Sequence, residues 1–162
     1  MSCTKDELII IIFDTSVIIE LIRKNLVEDL ARYKESVKAE LILPSEVLDE
    51  LRKGSMNCNS ISPRFFKVVS IDREIAKELR LRYLGLGDGE VGVLSTGLFF
   101  KKHSASEIII LVVDDSYARK VAKRLGFIVH GTLWLLLQLK KHKITSKEKI
   151  MQIVKELPDS GF

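Results

Sequence analysis

A chain of 162 residues with 46% hydrophobic content falls in the size range of one domain and carries enough apolar side chain for one substantial core. No run approaches the roughly 18 uninterrupted apolar residues of a membrane-spanning helix, the longest being Leu8–Phe13, 108–113 and 133–137, so a membrane protein is not expected. The 26 Lys and Arg against 22 Asp and Glu give a formal charge of +4 and a pI near 9.0, which permits a polyanionic partner without requiring one.

At the N-terminus Lys5, Asp6 and Glu7 stand directly before the apolar run LIIIIF, which ends in Asp14 with no small-residue cleavage site behind it. A first β-strand is expected there rather than a signal peptide. Further short runs rich in β-branched residues are expected as buried parallel strands: ELIL (40–43), KVVSI (67–71), ILVV at the end of 108–113, and FIVH (127–130). Helical patterns lie between them. Pro44 and Ser45 open SEVLDELRK, the turn LGLGDG opens EVGVLSTGLFF, and Gly131 and Thr132 open LWLLLQL. In SYARKVAKRL the apolar Ala118, Val121, Ala122 and Leu125 recur at i, i+3, i+4 and i+7, and Gly126 closes the helix. The stretch GSMNCNSISPR (54–64) reads as a loop. Strands alternating with helices give βαβ units and a parallel sheet covered on both faces. Cys3 and Cys58 lie far apart with no Cys or His at zinc-ligand spacing, so neither a disulfide framework nor a zinc site is expected, and a reducing cytoplasm is the expected location.

The acids carry the chemical signal. In an open parallel sheet, ligands bind at the carboxyl ends of the strands near the topological switch point. Asp14 ends the first strand, and Asp114 and Asp115 end the strand ILVV just before a helix. Glu46 and Glu90 fall in the first turns of two helices, so acids from four segments are expected to converge. Each has a plainer reading. Asp14 and Asp115 sit beside Ser or Thr as helix N-caps do, and first-turn Glu46 and Glu90 would complement helix dipoles. Converging carboxylates, by contrast, repel unless protonated or bridged by cations, and their hard oxygens suit Mg²⁺ or Mn²⁺. The adjacent pair is the most telling feature, because a cap needs only one of Asp114 and Asp115, and consecutive residues at a strand-to-helix turn are expected to be unequal in role.

IFDTSVIIEL, LPSEVLDEL, LGLGDGEVGVL and LVVDDSYARKVAKRLGFIVHGTLWLLLQLKK, in this order, resemble the successive motifs of PIN domains, nearest to an archaeal and bacterial branch akin to VapC-type toxin nucleases. The resemblance spans nearly the whole chain. It implies an α/β fold with a five-stranded Rossmann-like parallel sheet, one PIN-like domain over residues 1–162, and a metal-dependent endoribonuclease. It places Asp14, Glu46, Glu90 and one or both of Asp114 and Asp115 at the family's acidic positions. It also implies RNA as substrate, a homodimer, and a small antitoxin partner that covers the acidic groove. Two positions depart from the pattern: Gly92 stands where relatives often carry a second acid, with Asp88 as the available substitute, and Val113 stands where many carry Thr.

The expected mechanism needs no protein nucleophile. One or two Mg²⁺ or Mn²⁺ ions on Asp14, Glu90, Asp114 and Asp115 would lower the pKa of a bound water and align it on a phosphodiester. Glu46 would assist through water or take a proton, and Ser16 would orient Asp14 or the substrate. His103, His130 and His142 share no metal-ligand spacing and read as surface or structural residues. Arg119, Lys120, Lys123 and Arg124 follow the acidic pair and read either as a solvated helix face or as phosphate contacts; the cluster Lys140, Lys141, Lys143, Lys147 and Lys149 has the same two readings. LWLLLQL reads as core, with part of it available as a partner surface. Two rivals remain. Another phosphoryl-transfer enzyme of Rossmann-like fold is disfavoured because a phosphatase of that kind wants a second Asp where Ser16 stands, and a receiver wants paired acids at the first strand. A non-enzymatic RNA-binding module of the same fold is the other.

Overall fold

The computed structural model describes residues 7–104 and 107–157. Cys3, Lys5 and Asp6 lie outside them. In chain order the elements are β1 (Leu8–Phe13), α1 (Thr15–Arg23), α2 (Val27–Val37), β2 (Ala39–Pro44), α3 (Ser45–Lys53), β3 (Lys67–Val69), α4 (Arg73–Arg82), α5 (Asp88–His103), β4 (Glu107–Val112), α6 (Ser116–Arg124), β5 (Ile128–His130), α7 (Thr132–Lys141) and α8 (Lys147–Glu156).

The five strands form one parallel sheet in the order β3-β2-β1-β4-β5. β1 is the centre, and Ile10, Ile11, Ile12 and Phe13 are fully buried because both faces of the sheet are covered. That is why LIIIIF is continuously apolar rather than alternating. The chain adds β2 and β3 on one side of β1, then returns to add β4 and β5 on the other. The order therefore reverses between β1 and β4, where Phe13 pairs with Val112. The ladder continues past the strand ends, with Asp14 N donating to Val112 O at 3.1 Å and Val113 N to His130 O at 2.8 Å. These bonds fix the backbone that presents Asp14, Asp114 and Asp115 at one edge.

The strand expectations hold, with shifted ends. β2 is longer than ELIL, whereas Ser70 and Ile71 lie beyond β3 and Phe127 precedes β5. The two edge strands are only three residues long, which limits exposed ladder groups. Within the 54–64 loop, Cys58–Ser60 form one 3₁₀ turn, opened by Asn57, whose side chain accepts from Asn59 N. Cys58 is a half-buried free thiol. Gly126 closes α6 at φ +84°, a conformation that glycine adopts without strain. On α7, Leu135, Leu136 and Leu139 are buried and Leu133 and Leu137 exposed, so LWLLLQL supplies core on one face only. Among the described residues no helix is long and apolar enough to cross a membrane.

Candidate active site

A cavity of about 600 Å³ opens at the carboxyl edge between β1 and β4. Asp14, Glu20, Glu50, Glu90, Asp114 and Asp115 line it together with Arg23. One wall is a face of α1 formed by Ser16, Ile19, Glu20 and Arg23, which recur at helical spacing.

Asp14 occupies the N-cap position of α1 in an extended conformation, yet its side chain makes no capping bond. It is 5% exposed, and Ser16 Oγ approaches it only at 3.4 Å. Burial, with Glu90 and Glu50 adding like charge, pushes its carboxyl up from 3.8 to about 7, against a backbone hydrogen bond from Thr15 and the weak one from Ser16. Glu90 stands in the first turn of α5 and its Oε2 accepts from Gly87 N at 2.9 Å, half of a capping box. Burial raises its carboxyl as well, and Asp115 and Glu50 push in the same direction.

The adjacent aspartates are unequal. Asp115 caps α6 by accepting from Ala118 N at 2.8 Å and is the one whose charge Glu90 senses. Asp114 reaches across to the start of α7, where Thr132 N and Oγ1 donate to its two oxygens at 2.7 and 2.6 Å. A methyl group at Gly131 would lie 2.7 Å from Asp114 Oδ1, so the glycine of this Gly-Thr pair leaves room for the bridge.

Glu46 requires a correction. It does not line the cavity; it faces a separate depression with Arg73 and Arg80, and Ser45 Oγ donates to it at 3.0 Å. Its place at the start of α3 matches the dipole role of a first-turn acid. Glu50, one turn later, takes the cavity position that the sequence reading gave to Glu46. Thr15 Oγ1 donates to Glu50 Oε2, and Gly89 N donates to Oε1 at 3.0 Å, so three segments meet on one carboxylate. A methyl at Gly89 would come within 2.5 Å of Glu50 Oε2 and 2.6 Å of Thr15 Oγ1, which accounts for glycine there. The signal available in the sequence was the i, i+4 pair of glutamates in SEVLDEL, either of which satisfies the helical pattern.

Asp88 does not substitute for an acid at position 92. It is exposed and pairs with Arg80 at 3.3 Å. Gly92 is buried where a methyl would meet Pro44 Cβ and Glu46 Cβ at 3.2 Å, so α3 and α5 pack too closely there for any carboxylate. Val113 is buried as part of the core. None of the three histidines joins the acids: His103 packs on Phe99, His142 on Tyr33, and His130 stacks on Trp134 at 4.5 Å. Burial and then Lys123 hold His130 below its usual value.

No curated protein is similar to the chain. Among solved structures it is similar to a chain of the VapBC2 complex from Rickettsia felis bound to a DNA fragment from its promoter. The two share 20% identity with a TM-score of 0.45, over 75% of this chain and 98% of that one. A PIN-domain family model, DUF3368, matches residues 10–162, nearly the whole sequence, and the chain belongs to the PIN-domain family.

Proposed function

We propose that this protein is a metal-dependent endoribonuclease and that the carboxylate cavity between β1 and β4 is its active site. The observation that carries the reading is Asp14, a buried carboxylate at the switch point, free of a capping role and surrounded by other acids. A carboxylate so placed is stable when protonated or when a cation balances it. The donor chemistry fits Mg²⁺ or Mn²⁺, since the lining offers hard carboxylate oxygens. Among the described residues no three acidic, His or Cys side chains stand close enough to cage one ion. Mg²⁺ does not require such a cage, because it keeps several waters and is commonly held by one or two carboxylates plus substrate phosphate.

In this reading Asp14, Glu90 and Asp115 supply the carboxylate ligands, no more than two of them to any one ion. Asp114, through Thr132, and Glu50, through Thr15 and Gly89, hold the backbone of the site in register. Ser16 orients Asp14. When bound, the ion would supply an activated water and neutralise charge on the phosphoryl oxygens. The expected result is cleavage of a single-stranded RNA oligonucleotide with Mn²⁺ or Mg²⁺ and none with EDTA; cleavage unaffected by EDTA would overturn the proposal.

The sequence resemblance to VapC-type proteins supports a finer proposal, that the protein is a toxin silenced by a small antitoxin whose arginine pairs with these carboxylates. Overproduction of the protein alone should then arrest growth, whereas normal growth despite nuclease activity would indicate a housekeeping role. We also propose that residues 1–162 form one PIN domain, acting as a homodimer in the cytoplasm. A second reading, an RNA-binding module without catalysis, is favoured by one observation: Glu50 and Asp114 already have protein partners on both oxygens. Such a module would retain RNA in the same assay without cutting it.

A further inference from the structure

Arg119 on α6 is half-buried, yet among the described residues its guanidinium makes no hydrogen bond, ion pair or ring contact. It has an obvious partner that it does not use. A methyl at Gly131 would lie 2.7 Å from Asp114 Oδ1 and 3.4 Å from Arg119 Nη1, so the guanidinium comes in beside the Asp114 bridge. Thr132 occupies both Asp114 oxygens at 2.6 and 2.7 Å, and no ion pair forms. A guanidinium withdrawn from water gains most from an anion that can accept two parallel hydrogen bonds, and a phosphodiester offers that geometry.

A second cation stands on the α1 wall. Arg23 lines the cavity, is 63% exposed on its side chain, and among the described residues pairs with Glu20 alone, at 3.7 Å. Loose surface pairs of this kind contribute little to stability, so the guanidinium exchanges partners readily. The acids that line the cavity would repel RNA, and a strand crossing them needs cationic contacts on its flanking phosphates.

We infer that the RNA backbone crosses the carboxylate cavity from the Arg23 wall to α6, with Arg119 as the principal phosphate grip beside the cleaved linkage. The inference rests on the nuclease reading and adds the path of the strand. It distinguishes Arg119 from Lys120 and Arg124, which are exposed on the same helix.

The test is steady-state cleavage of a single-stranded RNA oligonucleotide with Mn²⁺ over a range of salt. Wild type, Arg119→Ala, Arg119→Lys, Arg23→Ala and the remote control Lys147→Ala on α8 are compared, with thermal melting of each. Binding of the same RNA is measured in an Asp14→Asn background. Arg119→Ala should raise KM about tenfold or more with kcat changed far less. It should also reduce the slope of log(kcat/KM) against log salt by about 0.7, one phosphate's share on a single strand. Arg119→Lys should recover part of the affinity, because it restores the charge but not the fork. Arg23→Ala should act in the same direction more weakly, and Lys147→Ala should match wild type. If wild type cleaves RNA and neither Arg119 variant changes KM or the salt slope, the inference fails while the nuclease reading stands. If wild type binds RNA through Arg119 without cutting it, the nuclease reading fails and the path stands. A loss confined to kcat, with binding unchanged, would also overturn the grip.

Discussion

Asp14 and Asp29 are buried to the same degree, 5% and 6% exposed, but their surroundings carry opposite charge. Asp29, in the first turn of α2, is paired with Arg32, lies 3.6 Å from Lys149, and accepts from Thr145 Oγ1 at 3.1 Å. Those contacts tie α2 to the start of α8 and leave the carboxylate satisfied within the protein. Asp14 faces Glu90 and Glu50, with a backbone hydrogen bond from Thr15 and a long one from Ser16 but no cation beside it among the described residues. Equal burial with opposite surroundings separates a carboxylate that stabilises the fold from one whose balance must come from outside it.

The largest expected effect breaks the comparison at the level of chemistry. Asp14→Asn should lower Mn²⁺-dependent RNA cleavage on the order of a thousandfold, since the substitution keeps the shape and removes the charge. Asp29→Asn, assayed at a temperature where it is folded, should cleave within a few-fold of wild type. A gel assay with both variants decides it, and cleavage by Asp14→Asn at the wild-type rate would remove Asp14 from the mechanism.

Stability should move in opposite directions in the same two variants. Arg32 and Lys149 are 64% and 42% exposed on their side chains, so their share is screened, and Asp29→Asn should cost about 1–3 kcal/mol. Asp14→Asn removes an ionised group that the fold disfavours. A carboxyl displaced from 3.8 to about 7 is penalised by up to about 4 kcal/mol, less what water in the open cavity recovers. In EDTA at pH 8 the variant should melt higher than wild type, by about 2–4 °C per kcal/mol. Mn²⁺ should reverse the ranking, because only wild type keeps the full ligand set. If both variants melted lower in EDTA, the two aspartates would be alike.

The pH dependence sharpens the contrast. Asp14 has a folded value above its unfolded one, so the folded chain binds the extra proton. Stability from this group is fully present below about 3.8 and is lost as pH rises through about 7. Glu90, raised in the same direction, adds to the trend. The advantage of Asp14→Asn over wild type in EDTA should therefore be smaller at pH 5 than at pH 8. Calorimetry at the two pH values would show it, and a constant difference would mean that Asp14 is ionised throughout.

How much of this was legible follows from the residues themselves. LIIIIF announced a buried strand, because a strand covered on both faces tolerates no polar position. Asp14, Asp114 and Asp115 were readable because they follow strand ends directly, and parallel register carries strand ends to one edge. Glu50 was not readable. It and Glu46 stand one turn apart on α3, about 6 Å along the axis, and helical periodicity favours neither. The choice was made by where α5 crosses α3, with Gly92 packed against Glu46 and Gly89 opened toward Glu50. The partners of Asp114 and Asp29 were hidden for a similar reason: Thr132 and Thr145 lie 18 and 116 residues away in sequence, and only the packed chain brings them near.

The smallest effect concerns the hydroxyls beside the two aspartates. Thr145→Val is close to isosteric and deletes the 3.1 Å bond to Asp29 inside the protein, where water cannot readily replace it. A hydrogen bond to a charged group is worth about 1.5–3 kcal/mol, so the variant should melt about 3 °C or more below wild type. Ser16→Ala deletes a 3.4 Å contact at the rim of a cavity, and its effect on melting should stay within about 0.5 kcal/mol. Its signature lies elsewhere. The Ser16 hydroxyl favours the ionised form of Asp14, so removing it should move the pH at which wild-type stability falls slightly upward. Mn²⁺ stabilisation should persist in Ser16→Ala, since the carboxylate itself is intact. Melting curves of both variants in EDTA, repeated with Mn²⁺, read all of this at once. If Ser16→Ala lost as much stability as Thr145→Val, Asp14 would depend on its hydroxyl as Asp29 does, and the reading of Asp14 as a group awaiting an external cation would fail.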